Sequence, residues 1–222
     1  MNCVVIIPAA GIGKRFNLPL PKQFTNVDGK PIIIQTIKIF DLVPLVTSII
    51  VAANQEWIDY THSLITKYDI VKPVHIIKGG KVRQDSVNNA LKHKIIKNAD
   101  IVLVHDAVRP FVSHELVNNV INSAIEYGAA VPALFPIETI KMVNKKGFVV
   151  RTLDRSKLCS VQTPQGFRQE IILEAYKYAY ENRIYSTDDA SLIEKVGYSV
   201  KIIQGEETNI KITTQSDLRM PV

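Results

Sequence analysis

Five short apolar runs recur in this 222-residue chain, and none of them alternates with polar residues. They occupy residues 4–7, 48–53, 74–77, 101–104 and 129–134. A strand that is apolar along its whole length is buried on both faces, which is typical of a parallel sheet covered by helices. This feature therefore predicts an α/β fold.

Segments of helical period lie between and after these runs, with Asn54 and Ser113 as expected N-caps. The spacing predicts helices at 32–40, 57–68, 87–96, 116–127, 169–182 and 188–196, and two closing strands at 199–203 and 209–213. This alternation favours a mainly parallel sheet flanked by helices. Because ligands bind beyond the carboxyl ends of such strands, the loops after the first, third and fourth runs are expected at one edge.

The alternation of strand and helix stops after residue 136. Two β-rich runs at 139–143 and 148–152 flank an Asn-Lys-Lys-Gly turn, which predicts a hairpin. In an isolated copy this hairpin would expose the side chains of Ile140, Met142, Phe148 and Val150. We therefore expect an arm at about 137–158 that mediates dimerisation, within a single domain spanning residues 1–222.

Composition narrows the choice of partner and compartment. The net charge of +6 favours anionic ligands. Basic residues are nevertheless spread along the chain and are not interleaved with aromatic residues, so no nucleic-acid partner is expected. Cys3 and Cys159 are too few for a disulfide framework and lack the spacing of a zinc site. With no signal-like start and no window of about 18 apolar residues, we expect a cytoplasmic protein that has no membrane partner.

The loop after the first apolar run places small residues before cations. Gly11 and Gly13 have no Cβ, so their N–H groups can approach an anionic oxygen closely. Arg15 and Lys22 can bring full charges to the same place. This combination suits a polyphosphate, and an ordinary strand-to-helix turn with solvated cations remains the alternative on these residues alone.

The sequence matches neither of two common phosphate-binding motifs. A dinucleotide fingerprint requires a third glycine where Phe16 stands. A P-loop requires Ser or Thr after Gly-Lys, but Gly80 and Lys81 are followed by Val82. Both of these nucleotide-binding classes are therefore excluded.

Asp106 follows the fourth apolar run and is expected at the ligand edge of the sheet. A carboxylate in that place can hold Mg²⁺ together with substrate phosphates. It can equally pair with Arg109 and shape the loop. A single His beside a single Asp is not a metal site, so His105 receives no ligand role.

Five other polar groups each have an ordinary structural interpretation. Arg155 and Thr163 suit a phosphate monoester, or they belong to surface charge and a turn. Thr187 and the acids after it can begin a helix, Lys211 lies among strand residues where exposure is usual, and Ser86 can contact a base or begin a helix. No nucleophilic triad can be argued from spacing. The residues alone therefore favour phosphoryl or nucleotidyl transfer on a phosphorylated ligand.

Six motifs occur in one order over residues 4–218, and together they resemble the 2-C-methyl-D-erythritol 4-phosphate cytidylyltransferase family. They are Pro-Ala-Ala-Gly-Ile-Gly-Lys-Arg with Pro-Lys-Gln, Gly-Gly-x-x-Arg-x-x-Ser, Val-His-Asp-Ala-Val-Arg-Pro, Gln-Thr-Pro-Gln-Gly-Phe, Thr-Asp-Asp-Ala-Ser and Asn-Ile-Lys-Ile-Thr-Thr. The resemblance implies a Rossmann-like nucleotidyltransferase fold, Mg²⁺ as cofactor and a homodimer. It also implies transfer of CMP from CTP to methylerythritol phosphate, with release of pyrophosphate, in the non-mevalonate route to isoprenoid precursors.

The same resemblance implies roles for individual residues. Those that would be catalytic are Arg15, Lys22, Arg155 and Lys211, and Asp106 would hold the metal. The CTP site would be lined by Ala9, Ala10, Gly11, Gly13, Gly80, Lys81 and Ser86. The second substrate would face Asp106, Arg109, Thr139, Arg155, Thr163, Thr187 and Lys211. Of these, Thr139 and Arg155 would reach the neighbouring subunit's site from the arm.

Two rival functions remain open. One is a ribitol-5-phosphate cytidylyltransferase, whose members tend to carry Ser after His-Asp, where this chain has Ala107. The other, from a different class, is a non-catalytic nucleotide-binding scaffold. Five charged residues that occur together argue against the scaffold: Arg15, Lys22, Asp106, Arg155 and Lys211.

Overall fold

A computed structural model of the chain describes residues 1–11, 20–214 and 216–219. The strands are β1 (Cys3–Ala9), β2 (Asn26–Val27), β3 (Lys30–Pro31), β4 (Val46–Ala53), β5 (Val74–Lys78), β6 (Ile101–Val104), β7 (Ala129–Leu134), β8 (Lys141–Val143), β9 (Val149–Thr152), β10 (Ser160–Val161), β11 (Gln165–Arg168) and β12 (Lys201–Gln204). The α-helices are α1 (Ile32–Leu42), α2 (Ile58–Lys67), α3 (Arg83–Leu91), α4 (His114–Tyr127), α5 (Gln169–Glu181) and α6 (Ala190–Lys195). Short 3₁₀ helices lie at Lys22–Phe24, Gln55–Trp57, Lys94–Asn98, Arg155–Lys157 and Ser216–Arg219.

The central sheet has eight strands in the order β12–β7–β11–β6–β1–β4–β5, and β10 also pairs with β7. Strand β1 lies parallel to β4 and β6, as β5 does to β4 and β12 to β7. Strands β10 and β11 run antiparallel to their neighbours. The prediction of a mainly parallel sheet flanked by helices is confirmed.

Alternate residues of β1 face two different layers of helices. Val5 and Ile7 pack with side chains of α1, α2 and α4. Val4 and Ile6 pack with side chains of α3, α5 and α6. Because both faces are covered, the run is apolar throughout. Each side chain of this size stabilises the fold by about 1.5–3 kcal/mol when fully buried, so the strand that leads into the first loop is held firmly.

The strand order reverses at β1. The chain passes from β1 through α1 to β4 on one side, whereas β6 pairs with β1 on the other side. In open α/β sheets a ligand crevice forms at the carboxyl ends of the strands where the order reverses. The loops that follow β1 and β6 meet at this crevice and line a common cavity.

Helix α3 begins and ends earlier than the sequence predicted, so the helix expected at 87–96 was placed wrongly. The carboxylate of Asp85 accepts a hydrogen bond from the backbone of Val82, which stabilises the earlier start. The expected caps Ser113 and Asn54 do accept backbone hydrogen bonds, at the starts of α4 and of a 3₁₀ helix. Within the described residues, every helix is too short or too polar to cross a membrane.

One predicted strand is absent, and the central sheet contains a strand that was not predicted. The strand expected at 209–213 does not form, because the N–H of Ile212 bonds to the carbonyl of Val108 in a loop. Strand β11 was not predicted, yet it lies antiparallel between β6 and β7. Gly166 permits this packing, since a Cβ at that position would lie 2.7 Å from Val120 on α4.

Strands β8 and β9 form a separate antiparallel hairpin, which confirms the predicted arm hairpin. Every residue of both strands is exposed. Ile137, before β8, is 76% exposed, and Phe148, before β9, is 68% exposed. The arm of a single chain therefore presents large apolar side chains to solvent.

Candidate active site

A cavity lies at the carboxyl ends of β1 and β6. Its walls are the loops after β1, β5 and β6, together with two lysines from other parts of the chain. Nine residues that the sequence singled out line it: Ala9, Ala10, Gly11, Lys22, Gly80, Lys81, Ser86, Asp106 and Lys211. Folding thus gathers residues from nearly the whole length of the chain into one place.

The loop after β1 is held by Gln23, a side chain for which the motifs predict no role of its own. Gln23 is buried, and its Nε2 donates to the carbonyl oxygens of Ala9 at 2.7 Å and of Gly11 at 3.1 Å. These bonds hold the start of the loop at the rim of the cavity. Lys22 comes directly before it and donates to the carbonyl of Ile212 at 3.3 Å. The same short turn therefore stabilises the loop and places a cation beside it.

Two glycines allow the loop after β5 to pack closely, Gly79 against the loop after β1 and Gly80 against the start of α3. A Cβ at Gly79 would lie 2.5 Å from the Cβ of Ala10, and a Cβ at Gly80 would lie 2.1 Å from the Cβ of Asp85. Neither position has room for a side chain. The hydroxyl of Ser86 accepts a hydrogen bond from the N–H of Gly80 at 3.0 Å, so it supports this loop at the start of α3. A contact from Ser86 to a base stays a prediction.

Three cations surround the carboxylate of Asp106. The ammonium of Lys211 lies 2.8 Å from Oδ2, Arg83 Nε lies 3.2 Å from Oδ1, and Arg109 Nε lies 3.6 Å from Oδ2. Burial alone would raise the pKa of Asp106, but Arg83 and Lys211 outweigh burial and hold it well below its usual range. The expected pair with Arg109 is present, and it is the longest of the three contacts.

A second cavity adjoins the first, and Arg83, Asp106 and Lys211 line both. Five residues that the resemblance assigns to the second substrate line this cavity: Asp106, Arg109, Thr163, Thr187 and Lys211. Guanidinium, ammonium and hydroxyl groups are suitable donors to a phosphate monoester. The arrangement can therefore bring two phosphorylated molecules together at the residues that the cavities share.

His105 holds the loop of Asp106 through a series of hydrogen bonds. The N–H of Asp106 donates to Thr163 Oγ1 at 3.1 Å, and this hydroxyl donates to His105 Nδ1 at 3.1 Å. In the tautomer that satisfies both neighbours, His105 Nε2 donates to the carbonyl of Arg109 at 3.0 Å. Burial lowers the pKa of His105 to about 4, so the ring is neutral at physiological pH.

Lowering the pH from about 7 to about 4.5 is expected to destabilise the protein through His105 by about 2 kcal/mol. An unfolded histidine binds a proton below about pH 6.5, whereas burial lowers the pKa of folded His105 to about 4. The unfolded state therefore binds more protons within this window, and stability falls as the pH falls. Urea unfolding of the wild type and of His105→Asn at both pH values measures the effect. An equal loss in both proteins would contradict it.

Two described residues with expected roles do not line either cavity. Thr139 and Arg155 belong to the arm and are exposed, and Arg155 donates to the carbonyl of Ile137 within the arm. Gly13 and Arg15 lie outside the described residues. The roles expected for these four residues stay predictions.

Sequence comparison relates the chain to one family. Residues 3–221 match the family described as IspD, 2-C-methyl-D-erythritol 4-phosphate cytidylyltransferase. The chain belongs to this family. A relative with that name from Bacillus cereus (strain ATCC 10987 / NRS 248) is 43% identical over 214 residues, which is 96% of this chain and 93% of the relative. Another, from Geobacillus kaustophilus, is 42% identical over 218 residues, covering 98% and 94% of the two chains.

Solved structures of cytidylyltransferases from this family share the fold. The 4-diphosphocytidyl-2C-methyl-D-erythritol synthase of Anaerococcus prevotii superposes with a TM-score of 0.86 at 30% identity, covering 97% of this chain and 92% of that one. The Francisella tularensis 2-C-methyl-D-erythritol 4-phosphate cytidylyltransferase gives a TM-score of 0.83 at 36% identity, covering 98% and 97%. The arrangement of strands and helices in this chain is therefore that of the cytidylyltransferase family.

In this member of the cytidylyltransferase family, two charged residues at the site had been given no role from the sequence. Arg83 lines both cavities, although its membership of the Gly-Gly-x-x-Arg-x-x-Ser motif predicts no specific role for it. Asp189 was interpreted as an acid in the first turn of a helix, but it is fully buried and accepts a hydrogen bond from Arg83 at 2.7 Å. Membership of the motifs was the available signal for both residues.

Proposed function

We propose that this chain transfers CMP from CTP to 2-C-methyl-D-erythritol 4-phosphate and releases pyrophosphate. The observation that carries the proposal is the sharing of Arg83, Asp106 and Lys211 by two cavities, because these residues would lie where two anionic substrates meet. The first cavity has small residues and close backbone along its wall, which suits a nucleoside triphosphate. Membership of the family supports the identity of the two substrates.

The reaction is an in-line displacement at the α-phosphorus of CTP. A phosphate oxygen of methylerythritol phosphate forms a new bond to that phosphorus while the bond to the β-phosphate oxygen breaks, and pyrophosphate leaves with the electron pair. The attacking oxygen is already anionic, so the step requires no nucleophilic side chain. The protein has to bring two anions together and to neutralise the charge that develops.

Two lysines on the wall of the first cavity would supply this neutralisation. Lys22 and Lys211 line the first cavity, and the side chain of Lys211 is 42% exposed, which leaves it room to turn from Asp106 to a phosphate oxygen. The family resemblance assigns Arg15 to the same task. Preorganised charges of this kind commonly contribute about 10²–10³-fold each to turnover.

Mg²⁺ is compatible with the residues present. Among the described residues, no group of three or more His, Cys, Asp and Glu surrounds a common point. Mg²⁺ is usually held by one or two carboxylates together with substrate phosphates, and Asp106 supplies an ionised carboxylate on the wall of the first cavity. Asp106 would therefore hold the ion with the triphosphate. Bound there, Mg²⁺ would neutralise phosphate charge.

Release of pyrophosphate tests this function directly. The purified protein with CTP and Mg²⁺ is expected to release pyrophosphate when methylerythritol phosphate is added, and not when ribitol 5-phosphate is added. Release with ribitol 5-phosphate but not with methylerythritol phosphate would instead favour the ribitol-5-phosphate cytidylyltransferase. Calorimetric binding of CTP without release with either compound would favour the non-catalytic scaffold.

Gly11→Ala is expected to raise the KM for CTP about 10-fold without a loss of stability. A Cβ at Gly11 would meet no atom of the described residues within 4 Å, so that part of the fold has room for it. In the cavity, however, the methyl group would hold a phosphate away from the backbone. Steady-state kinetics and thermal unfolding measure the two effects. An unchanged KM would contradict the binding of triphosphate at this loop.

The matched control is Gly80→Ala. Its Cβ would lie 2.1 Å from the Cβ of Asp85, so the loop after β5 would have to move. This variant should lose stability as well as affinity for CTP. The contrast between the two glycines separates a clash with the ligand from a clash with the protein.

The chain is also proposed to form a homodimer through the arm. Five apolar side chains of this segment are more than half exposed: Ile137, Val143, Phe148, Val149 and Val150. Such a concentration on one projecting element is typical of a protein interface. Thr139 and Arg155 lie on the same arm and line neither cavity of their own chain, which supports their reaching the partner's site.

A heterodimer of two inactive variants is expected to recover about half of the wild-type activity. One subunit carries Arg155→Ala and the other carries Lys22→Ala, each with its own affinity tag, so that tandem purification isolates the heterodimer. If Arg155 crosses to the partner, one of the two sites has both side chains intact. Activity no higher than that of the separate variants would contradict the crossing.

A further inference from the structure

A buried series of contacts leads from helix α5 to Asp106. The hydroxyl of Tyr176 donates to Oδ1 of Asp189 at 2.5 Å. The other oxygen of that carboxylate, Oδ2, accepts from Nη2 of Arg83 at 2.7 Å. Nε of the same guanidinium donates to Oδ1 of Asp106 at 3.2 Å. Arg83 therefore bridges two carboxylates that belong to different parts of the fold.

Asp189 depends on its neighbours because it is completely buried. A buried carboxylate is costly unless a cation and hydrogen-bond donors satisfy its oxygens. Arg83 satisfies one oxygen and Tyr176 satisfies the other. The backbone N–H of Asp189 donates to Gln165 Oε1 at 3.1 Å, and this bond also fixes the backbone of Asp189. Asp189 is thus a fixed anchor for the guanidinium.

Tyr176 remains a donor at any physiological pH. It is 2% exposed, and burial together with the Asp189 carboxylate raises the pKa of its hydroxyl well above the ordinary value. Tyr176 lines neither of the two cavities. Its hydroxyl can therefore influence the reaction only through the residues that it holds.

The bridge determines how the carboxylate of Asp106 is oriented. Arg83 binds Oδ1, which leaves Oδ2 for Lys211 at 2.8 Å. If the guanidinium moved, the carboxylate could rotate and both contacts would change. Lysine in place of Arg83 has a single charged nitrogen and lacks the planar fork, so it is poorly suited to span both carboxylates.

We propose that Tyr176 is a positioning residue for the transfer reaction, acting through Asp189 and Arg83 to hold the carboxylate of Asp106 in its orientation. The inference rests on the proposed cytidylyl transfer, because Asp106 acts there at the junction of the two substrates. It adds to that function a residue outside both cavities on which turnover depends.

A double-mutant cycle between Tyr176→Phe and Arg83→Lys tests the proposal. Tyr176→Phe removes one oxygen and keeps the ring, and it is expected to lower kcat/KM about 10-fold in the wild-type background. In the Arg83→Lys background the bridge is already broken, so the same change is expected to alter kcat/KM less than about 2-fold. A merely structural tyrosine would lower activity by the same factor in both backgrounds.

Tyr198→Phe is the matched control, because Tyr198 also donates to a carboxylate, that of Glu174 at 2.8 Å, but at an exposed place. It is expected to leave kcat/KM within about 2-fold of the wild type. If Arg83→Lys turns over too slowly to assay, the cycle is measured on the dissociation constant of CTP with Mg²⁺. Tyr176→Phe is again expected to have a smaller effect in the Arg83→Lys background than in the wild type.

Two results would overturn the proposal: full activity of Tyr176→Phe, or equal factors in the two backgrounds. Failure of the proposed function is a separate result, because it would appear as an absence of pyrophosphate release by the wild type itself. Thermal unfolding of each variant shows whether any loss of activity comes from a loss of folded protein.

Discussion

Replacing Lys22 by alanine is expected to lower kcat about 100-fold or more while the chain stays folded. Lys22 lines the first cavity and comes directly before Gln23, which holds the loop after β1. Its ammonium would neutralise negative charge that grows on the triphosphate as the α-phosphorus is attacked. Such a charge acts mainly in the transition state, so the loss should appear in kcat rather than in the KM for CTP.

Lys30→Ala is the control for the loss of a positive charge as such. Lys30 is exposed, lies on β3 close in sequence to Lys22, and lines neither cavity. Its replacement is expected to leave kcat within about 2-fold of the wild type. Pyrophosphate release at saturating substrates measures both variants. A near-normal kcat in Lys22→Ala would remove Lys22 from the catalytic group and weaken the assignment of the whole loop.

The residues that line the first cavity were partly predictable because several of them are close together in the sequence. Small residues directly after a buried strand predicted a phosphate loop, and Ala9, Ala10 and Gly11 do line the first cavity. Asp106 could be placed in the same way, from its position after the buried strand β6. Parallel strands end at one edge of a sheet, so local order was sufficient to bring these residues together.

The contacts that orient the site were not predictable, because they join distant residues of opposite charge. Arg83 and Asp189 are 106 positions apart. No local sequence pattern indicates that these two residues pair. Asp189 stands at the start of a helix, where an exposed acid is the usual case. Its burial follows from the packing of α5 and α6 over the sheet, which no local pattern reports.

The wrong strand at 209–213 has a similar cause. Two isoleucines at alternate positions favoured a strand. In the folded chain Ile212 packs instead into a small cluster with Val27, Ile32 and Val108, and its N–H bonds to the loop after β6. Tertiary contacts override local strand preference in such short segments. This irregular segment brings Lys211 within 2.8 Å of Asp106.

Asp106→Asn is expected to lower kcat about 100-fold or more and to reduce the free energy of unfolding by about 3 kcal/mol. The amide keeps the size of the side chain but removes the charge that Arg83, Arg109 and Lys211 share. These cations would then repel one another without the negative charge that offsets their repulsion. Asp59→Asn, at an exposed position on α2, is the control and should change neither quantity appreciably.

Adding Lys211→Met to Asp106→Asn separates the two effects. Removing one cation relieves the repulsion, so the double variant should regain part of the lost stability in urea unfolding. Its kcat should stay at least as low as that of Asp106→Asn, because both the carboxylate and the Lys211 charge are absent from the junction of the cavities. Recovery of turnover together with stability would show that Asp106 serves the fold alone. Stability recovered without turnover is the result expected if the same carboxylate holds the cations in place and takes part in the reaction.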